Sequence, residues 1–244
     1  MKTRFMGIPL DVGSREAVTE ECIALLGVGG TVFTLNALML ERARRDRDFA
    51  EILSRADVLT VDGVGVKAAL ALSGIKTDTL AGVELGELIA AEGAPSLSLI
   101  GGKAGVGERA FRYLKAKNPR IERGFVISGY GYSEEHYLDL LSKKRPDICF
   151  VCLGSPWQER FAVRARDVSP RTLFFALGGS LDIYSGERRR APRLFRRLGL
   201  EWLCRMVCEP RRMRELWRLS TFAFHAVLEA KCPQKDDRER GIFS

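Results

Sequence analysis

The sequence predicts an α/β fold: a mostly parallel, Rossmann-like sheet with helices on both faces, followed by a basic helical appendage at the carboxyl end. Three observations predict it. Apolar runs of strand length recur along the chain, segments with helical spacing separate them, and the net positive charge lies in the last 57 residues. Strict alternation of near-continuous apolar strands with helices is typical of a parallel sheet covered on both sides. With 244 residues the chain can form one such domain and an extension.

Six apolar runs are expected to build the main sheet, after a short opening strand near residues 4–8. They cover residues 30–37, 57–63, 96–102, 123–131, 147–154 and 172–179. Apolar residues three and four apart predict the intervening helices over 14–27, 37–56, 63–72, 82–94, 107–118, 133–145 and 157–168. Ligands of such sheets bind beyond the carboxyl ends of the strands, so the site is expected there.

The amino-terminal segment lacks the apolar stretch of a signal peptide, and no run approaches the ~20 apolar residues that span a bilayer. Six cysteines lie mostly within apolar runs, which is typical of reduced thiols in a reducing compartment. We therefore expect a cytoplasmic protein. Asp46-Arg-Asp48 has the D-x-D pattern of some metal-dependent transferases. We place it in the middle of a helix among arginines, as a solvated face, and predict no metal site.

The charge distribution separates a neutral body from a basic appendage. Residues 188–244 hold 15 Lys and Arg against seven Asp and Glu, whereas residues 1–187 hold 24 of each sign. Most of these cations are arginines, whose planar guanidinium matches phosphate oxygens. We predict a body over residues 1–190, an amphipathic helical appendage over 191–232 and a disordered tail over 233–244.

An apolar stripe with helical spacing runs along the appendage, and Arg211, Arg214 and Arg218 lie beside it. The stripe consists of Met213, Leu216, Trp217, Phe224, Val227 and Leu228. Docking of this helix on the body would explain the stripe. Contact with an anionic membrane would explain both the stripe and the confinement of the excess basic residues to the appendage. Nucleic acid is the alternative anionic partner, but the sequence of the body contains no known nucleic-acid-binding motif. We expect membrane contact and no nucleic acid; the oligomeric state stays open, a homo-oligomer included.

Asp62 follows one predicted strand and precedes Gly63-Val64-Gly65, so its carboxylate is expected at the sheet edge as a general base. Capping of the next helix is the alternative. Gly101 and Gly102 end another strand in a turn rich in glycine. Their spacing does not fit an NAD site, and the turn is either a phosphate or sugar contact or a purely structural turn.

Gln158 and Glu159 follow a Gly-Ser-Pro-Trp sequence at the start of a predicted helix, which Pro156 favours. A glutamate in a first helical turn often only compensates the helix dipole. Gln158, however, has an amide suited to sugar hydroxyls or a base edge. Its place at the end of a strand favours a binding role.

The ordered motifs resemble those of the WecG/TagA/CpsF family of bacterial glycosyltransferases. They are MGIPLD, TLNALML, ADVLTVDGVGV, LIGGKAGVGE, GYGY, LGSPWQE, LGGSLDIYSGERRRAP and GLEWLCRMVCEPRR. The resemblance implies an inverting hexosyltransferase that needs no metal or other cofactor. It would use a UDP-sugar donor and an undecaprenyl-diphosphate-linked GlcNAc acceptor, as a peripheral protein on the inner face of the bacterial cell membrane.

The resemblance also assigns roles to matching residues. Asp62 would remove the proton of the acceptor hydroxyl, Thr34 and Asn36 would help form the pocket, and Gln158 and Glu159 would contact the donor. The appendage would supply the cations for the leaving diphosphate. These are Arg205, Arg212 and Arg214, the last lying one step before the usual position in the family.

The sequence is closest in kind to the branch that transfers N-acetylmannosamine in teichoic acid synthesis. Another donor, UDP-ManNAcA, UDP-glucose or UDP-galactose, is the alternative within the family, because no residue distinguishes among these donors. A uronic-acid donor favours an extra cation in the sugar pocket, and Thr79 stands where many members carry arginine, which argues against that donor. The alternative of another class is a non-catalytic nucleotide- or RNA-binding α/β protein.

Overall fold

The computed structural model describes residues 1–92, 96–192, 194–195, 201–208 and 210–231, without the side chains of residues 205, 208 and 210–212. Eight strands are described in these ranges: β1 (Lys2–Phe5), β2 (Ile8–Asp11), β3 (Gly30–Leu35), β4 (Val58–Val61), β5 (Ser96–Gly101), β6 (Glu122–Ile127), β7 (Ile148–Cys152) and β8 (Leu173–Ala176). The last six form one parallel sheet in the order β4-β3-β8-β7-β5-β6. The six predicted runs are thus confirmed as strands.

The first two strands form a separate antiparallel hairpin, so the single opening strand predicted near residues 4–8 is wrong. Met6 and Gly7 both have positive φ, 50° and 77°, and turn the chain between β1 and β2. The buried Asp11 side chain accepts hydrogen bonds from the Leu59 N–H at 2.8 Å and from Lys2 Nζ at 3.1 Å. The hairpin thereby covers the side of β4 that has no neighbouring strand in the main sheet.

The helices lie on both faces of the sheet, as predicted. They are α1 (Arg15–Ile23), α2 (Ala37–Ala43), α3 (Arg47–Ser54), α4 (Val64–Leu72), α5 (Gly82–Glu92), α6 (Val106–Lys117), α7 (Glu134–Lys144), α8 (Trp157–Val168), α9 (Ser180–Tyr184), α10 (Glu201–Cys208), a 3-10 helix (Pro210–Glu215) and α11 (Leu216–Lys231). Strand side chains alternate between two buried clusters, with Phe174 in one and Phe175 in the other. One cluster packs against α2, α3, α4, α7, α8 and α11, and the other against α1, α5, α6 and α9.

The long helix predicted over residues 37–56 is two helices, and Asp46 lies at the break. Its Oδ1 accepts a hydrogen bond from the Phe49 N–H at 3.0 Å, so Asp46 is the N-cap residue of α3. Its Oδ2 accepts from Arg160 Nη2 at 3.3 Å. The prediction of Asp46 in the middle of a helix is therefore wrong, and its carboxylate has a capping role.

The C-terminal helix α11 packs on α2 and α4 and shares their buried cluster through Phe222 and Ala226. His225 Nδ1 lies 3.3 Å from the buried Glu41 carboxylate of α2. The apolar stripe predicted in the sequence is exposed, and its member Met213 belongs to the 3-10 helix. Docking therefore uses a different face of the helix from the stripe. In the ranges that the structure covers, no helix is both long and apolar enough to cross a bilayer.

Candidate functional site

Asp62 lies where β4 ends, beside the end of β3. Its backbone N–H donates to the Leu35 carbonyl at 2.8 Å, which joins the two strand ends. Gly63, with φ of 90°, follows it and is the N-cap residue of α4. The cap of α4 is thus Gly63 rather than Asp62, and the positive φ requires glycine there. The Asp62 carboxylate is positioned at the sheet edge where parallel α/β folds bind ligands.

A cleft of about 880 Å³ opens at Asp62, between the body and the C-terminal helices. This volume is within the range of small-molecule sites. The described lining consists of Arg15, Asn36, Ala37, Leu38, Asp62, Gly63, Val64, Gly65, Ala68, Ala69, Leu72, Thr79, Ala81, Glu84, Arg190, Glu201, Trp202, Met206, Glu215, Leu216, Leu219, Ser220, Phe222, Ala223, Ala226 and Val227. The cleft therefore has carboxylates and guanidinium groups on some walls and apolar side chains on others.

Asn36 and Thr34 come from the end of β3. Asn36 lines the cleft with Asp62, and its Oδ1 accepts from the N–H groups of Leu38 and Met39 at 3.1 Å each, capping α2. Thr34 is buried below it, where its Oγ1 lies 3.3 Å from the place a Cβ would take on Gly82. Thr34 thus supports the floor beside α5, whereas Asn36 is at the cleft surface.

An ion-pair chain crosses one wall of the cleft. The Glu84 carboxylate of α5 accepts from Arg15 Nη2 of α1 and, at 2.6 Å, from Arg190 Nη2. Arg190 Nε also lies 3.7 Å from Glu201 of α10. Burial raises the pKa of Glu84, but the hydrogen bonds and charges of Arg190 and Arg15 outweigh it and leave the pKa below its ordinary value of 4.5. Glu84 is therefore a fixed anion that holds two guanidinium groups at the cleft.

Gly101 and Gly102 have structural reasons to be glycine. Gly101 has φ of 137°, and a Cβ there would lie 2.3 Å from the Cys152 carbonyl oxygen. Gly102 has φ of 67°, and its Cβ would lie 2.7 Å from a methyl group of Val106. Gly105 then caps α6, as expected for a turn that leads from strand to helix. This geometry supports the structural alternative for the turn, and ligand contact there stays a prediction.

Gln158 and Glu159 are both buried at the start of α8. Gln158 Oε1 accepts from the Gly154 N–H at 3.2 Å and the Gly178 N–H at 3.0 Å, so it ties the loops after β7 and β8 together. Its Nε2 donates to Glu159 Oε1 at 2.8 Å. Burial raises the pKa of Glu159 above its ordinary value of 4.5, against the opposing hydrogen bond from Gln158. Gln158 thus fixes the positions of these two loops relative to each other.

The structure brings only part of the predicted site together. Among the residues that it describes, the cleft lining includes Asp62 and Asn36 but not Gly101, Gly102, Gln158, Glu159 or Thr34. Arg214 is exposed on the 3-10 helix, outside that lining. The side chains of Arg205 and Arg212 lie outside the described residues, so their predicted diphosphate contacts stay predictions. In the described part, no three His, Cys, Asp or Glu side chains are grouped to hold a metal ion.

Arg15, Glu84 and Arg190 line the cleft but were not among the site residues predicted from the sequence. Arg190 belongs to the quoted GERRRAP motif, which comes directly before the appendage. Its place in this motif could have identified Arg190 as a candidate, but nothing in the sequence connects Arg15 with it. The two arginines are 175 positions apart, and only the fold joins them through Glu84. Thr79 lines the same cleft as both arginines.

The chain is similar in sequence to known proteins of the family that its motifs resemble. Residues 3–236 match the Glycosyl transferase WecG/TagA/CpsF family. A protein of Bacillus subtilis (strain 168), named N-acetylglucosaminyldiphosphoundecaprenol N-acetyl-beta-D-mannosaminyltransferase, is 30% identical over 208 residues, which are 84% of this chain and 81% of that protein. A protein of the same name from Bacillus spizizenii (strain ATCC 23059 / NRRL B-14472 / W23) is 30% identical over 192 residues, 77% of this chain and 75% of its own length. The match covers the strands and helices that build the cleft as well as the motifs, and the chain therefore belongs to the glycosyltransferase family WecG/TagA/CpsF.

Proposed function

We propose that this glycosyltransferase moves N-acetylmannosamine from its UDP donor to GlcNAc-diphosphoundecaprenol, with inversion and without a metal. The relatives' names support this donor and acceptor. The observation that carries the proposal is the position of Asp62, at the strand edge of a cleft that also holds guanidinium groups. Family membership favours the enzyme over a non-catalytic nucleotide- or RNA-binding protein.

Asp62 acts as the general base in this proposal. The acceptor hydroxyl oxygen forms a bond to the anomeric carbon of the donor sugar while the carbon–oxygen bond to UDP breaks. The hydroxyl proton moves to the Asp62 carboxylate, and the bonding electron pair leaves with the UDP diphosphate. Because the sugar is attacked on the face opposite the leaving group, its configuration inverts.

The remaining predicted residues surround this reaction. Asn36 and the underlying Thr34 shape the pocket beside Asp62, while Gly101, Gly102, Gln158 and Glu159 face or support the donor. Developing charge on a diphosphate is stabilised by fixed cations. Arg205, Arg212 and Arg214 of the appendage are proposed to supply them for the UDP diphosphate.

We also propose that the appendage, residues 191–232, holds the enzyme on the anionic inner face of the cell membrane. Trp202, Trp217 and Phe224 are exposed on the C-terminal helices, which belong to the same part of the chain as Arg214 and Arg218. Exposed aromatic and apolar residues beside arginines are typical of helices that lie in a membrane interface. Each Lys or Arg near an anionic surface contributes about 1 kcal/mol to such binding.

The test is UDP release from UDP-N-acetylmannosamine with a lipid-linked GlcNAc-diphosphate acceptor. We expect turnover by the wild type and a fall of about 10²–10⁴-fold for Asp62→Asn. Asp78→Asn is the matched control, since Asp78 is a half-exposed carboxylate paired with Lys67 at 3.3 Å. Full activity of Asp62→Asn would contradict the base assignment. Turnover only with UDP-ManNAcA, UDP-glucose or UDP-galactose would replace the proposed donor.

A further inference from the structure

One side of the cleft is an apolar trough between α4 and α11. Val64, Ala68 and Leu72 follow one another at intervals of four along α4 and all line the cleft. Leu216, Ser220, Ala223 and Val227 line it from α11 at intervals of three and four. Residues at such intervals share one face of a helix, so two helical faces bound the trough. Ser220 is the one polar residue among these seven.

Small side chains leave the trough open. Gly65 and Ala69 of α4 and Ala226 of α11 also line it, and a Cβ on Gly65 would lie 3.6 Å from Ala37 and 4.0 Å from Phe222. The helices therefore approach each other closely at Gly65 and Phe222, and alanines of both helices line the cleft. From Val64 to Leu72 the α4 face is ~12 Å long, at ~1.5 Å per residue.

The same cleft is also lined by charged side chains. Asp62 directly precedes α4, and the guanidinium groups of Arg15 and Arg190 are fixed by Glu84, which lines the cleft with them. A ligand that fills the whole cleft needs an anionic group for the arginines and an extended apolar part for the trough. A nucleotide sugar has no extended aliphatic part that could run along these apolar walls.

We propose that the trough between α4 and α11 binds the first isoprene units of the acceptor's polyprenyl chain. This inference rests on the proposed function, in which the acceptor is a sugar joined through a diphosphate to a polyprenyl lipid. The sugar lies at Asp62, the diphosphate at the arginines and the apolar chain along the alanines. The site therefore recognises lipid in addition to the general contact of the appendage with a membrane surface.

The experiment compares two soluble acceptors, GlcNAc-diphosphate esterified to farnesol or to propanol, without membranes or detergent. The measured quantity is the ratio of their kcat/KM values. Each buried CH₂ group is worth ~0.8 kcal/mol, so partial burial of a farnesyl chain favours the longer acceptor by about 100-fold or more in the wild type. Equal kcat/KM on both acceptors would overturn the trough while leaving the proposed function intact. No UDP release with either acceptor, nor with the full lipid, would contradict the proposed function itself.

Two substitutions at Ala68 test whether the preference for the farnesyl acceptor arises in the trough. Ala68→Glu and the uncharged Ala68→Gln put a polar group on the apolar wall, and each is expected to lower the ratio about tenfold or more. Ala71→Glu is the matched control, on an exposed position of the same helix outside the described lining. Its ratio is expected to stay within about twofold of wild type. A similar fall for Ala71→Glu would overturn the proposal.

A direct readout separates lipid from other occupants. A farnesyl diphosphate analogue with a photoreactive diazirine is expected to label peptides of α4 and α11, and excess farnesyl diphosphate is expected to prevent it. Labelling elsewhere would overturn the proposal. A second result would also overturn it: the oligomeric mass of Ala68→Gln differs from that of the wild type while its ratio of kcat/KM values for the two acceptors is unchanged. The trough would then be a contact between copies of the chain.

Discussion

Arg190 donates a hydrogen bond from Nη2 to the Glu84 carboxylate at 2.6 Å, and this pair joins the segment before the appendage to helix α5 of the body. Arg190 is 18% exposed and Glu84 24%, so water screens the pair less than it screens an open surface pair. The same guanidinium lies near Glu201 of α10. Arg190 thereby connects α5 with α10, and both helices contribute residues to the cleft that contains Asp62.

We predict that Arg190→Ala destabilises the protein by ~1–3 kcal/mol, because Glu84 loses a charge-assisted hydrogen bond at a half-buried position. The kcat/KM for UDP release should fall about tenfold or more, since the cleft loses a cation and its link to α10. Arg123→Ala is the control: Arg123 pairs with Glu108, but both are nearly half exposed, and such pairs contribute ~0–1 kcal/mol. Equal effects of the two variants on kcat/KM would contradict the role of Arg190.

Phe222 and Phe224 are two positions apart on α11 and have different surroundings. Phe222 is 4% exposed and packs in the core, whereas Phe224 is 62% exposed. Phe222→Ala should cost ~3–5 kcal/mol, measured by chemical denaturation, and should lower turnover because α11 forms a wall of the cleft. Phe224→Ala should leave stability within ~0.5 kcal/mol and weaken binding to anionic liposomes. The reverse pattern would show that α11 docks through its other face.

Because Glu159 is a buried carboxylic acid, we expect it to make the folded protein less stable as the pH rises. Its pKa in the folded protein lies above the ordinary value of 4.5, because burial penalises the carboxylate. Its contribution to stability is then complete below pH 4.5 and is lost as the pH rises through the folded pKa. Glu159→Gln should therefore raise Tm at pH 7.5, by about 2–4 °C for each kcal/mol, and leave it nearly unchanged at pH 4. The same Tm difference at both pH values would contradict this cause.

Gln158 is expected to contribute to stability as well as to activity, since one oxygen satisfies the N–H groups of Gly154 and Gly178. Gln158→Met keeps a similar side-chain volume but leaves both donors without that acceptor. Each unsatisfied buried donor costs ~1–3 kcal/mol, so Tm should fall by several degrees. Amide hydrogen exchange should become faster at Gly154 and Gly178. An unchanged Tm together with lost activity would assign Gln158 to ligand contact alone.

Apolar runs in the sequence correctly predicted the strands that are buried on both faces of the sheet. The strand runs that lead to Asp62 and Gly101 are buried on both sides, and an uninterrupted apolar run is sufficient to identify such strands. Asp46 was misplaced because helical spacing continues across a break that one capping carboxylate creates. The face of α11 that docks stayed open at the level of the sequence, because a helix with several apolar faces does not indicate which of them has a partner.

The sequence by itself determined the alternation of strands and helices, the basic carboxyl end, the family motifs and the place of Asp62 at a strand end. These depend on residue types and short spacings, which act locally. Only the tertiary structure decided that Arg15 and Arg190 meet at Glu84, that Gln158 bonds to two loops, and that α4 and α11 enclose an apolar trough beside Asp62. Such contacts join residues far apart in the chain, and they exist only once burial of the core has fixed the elements relative to one another.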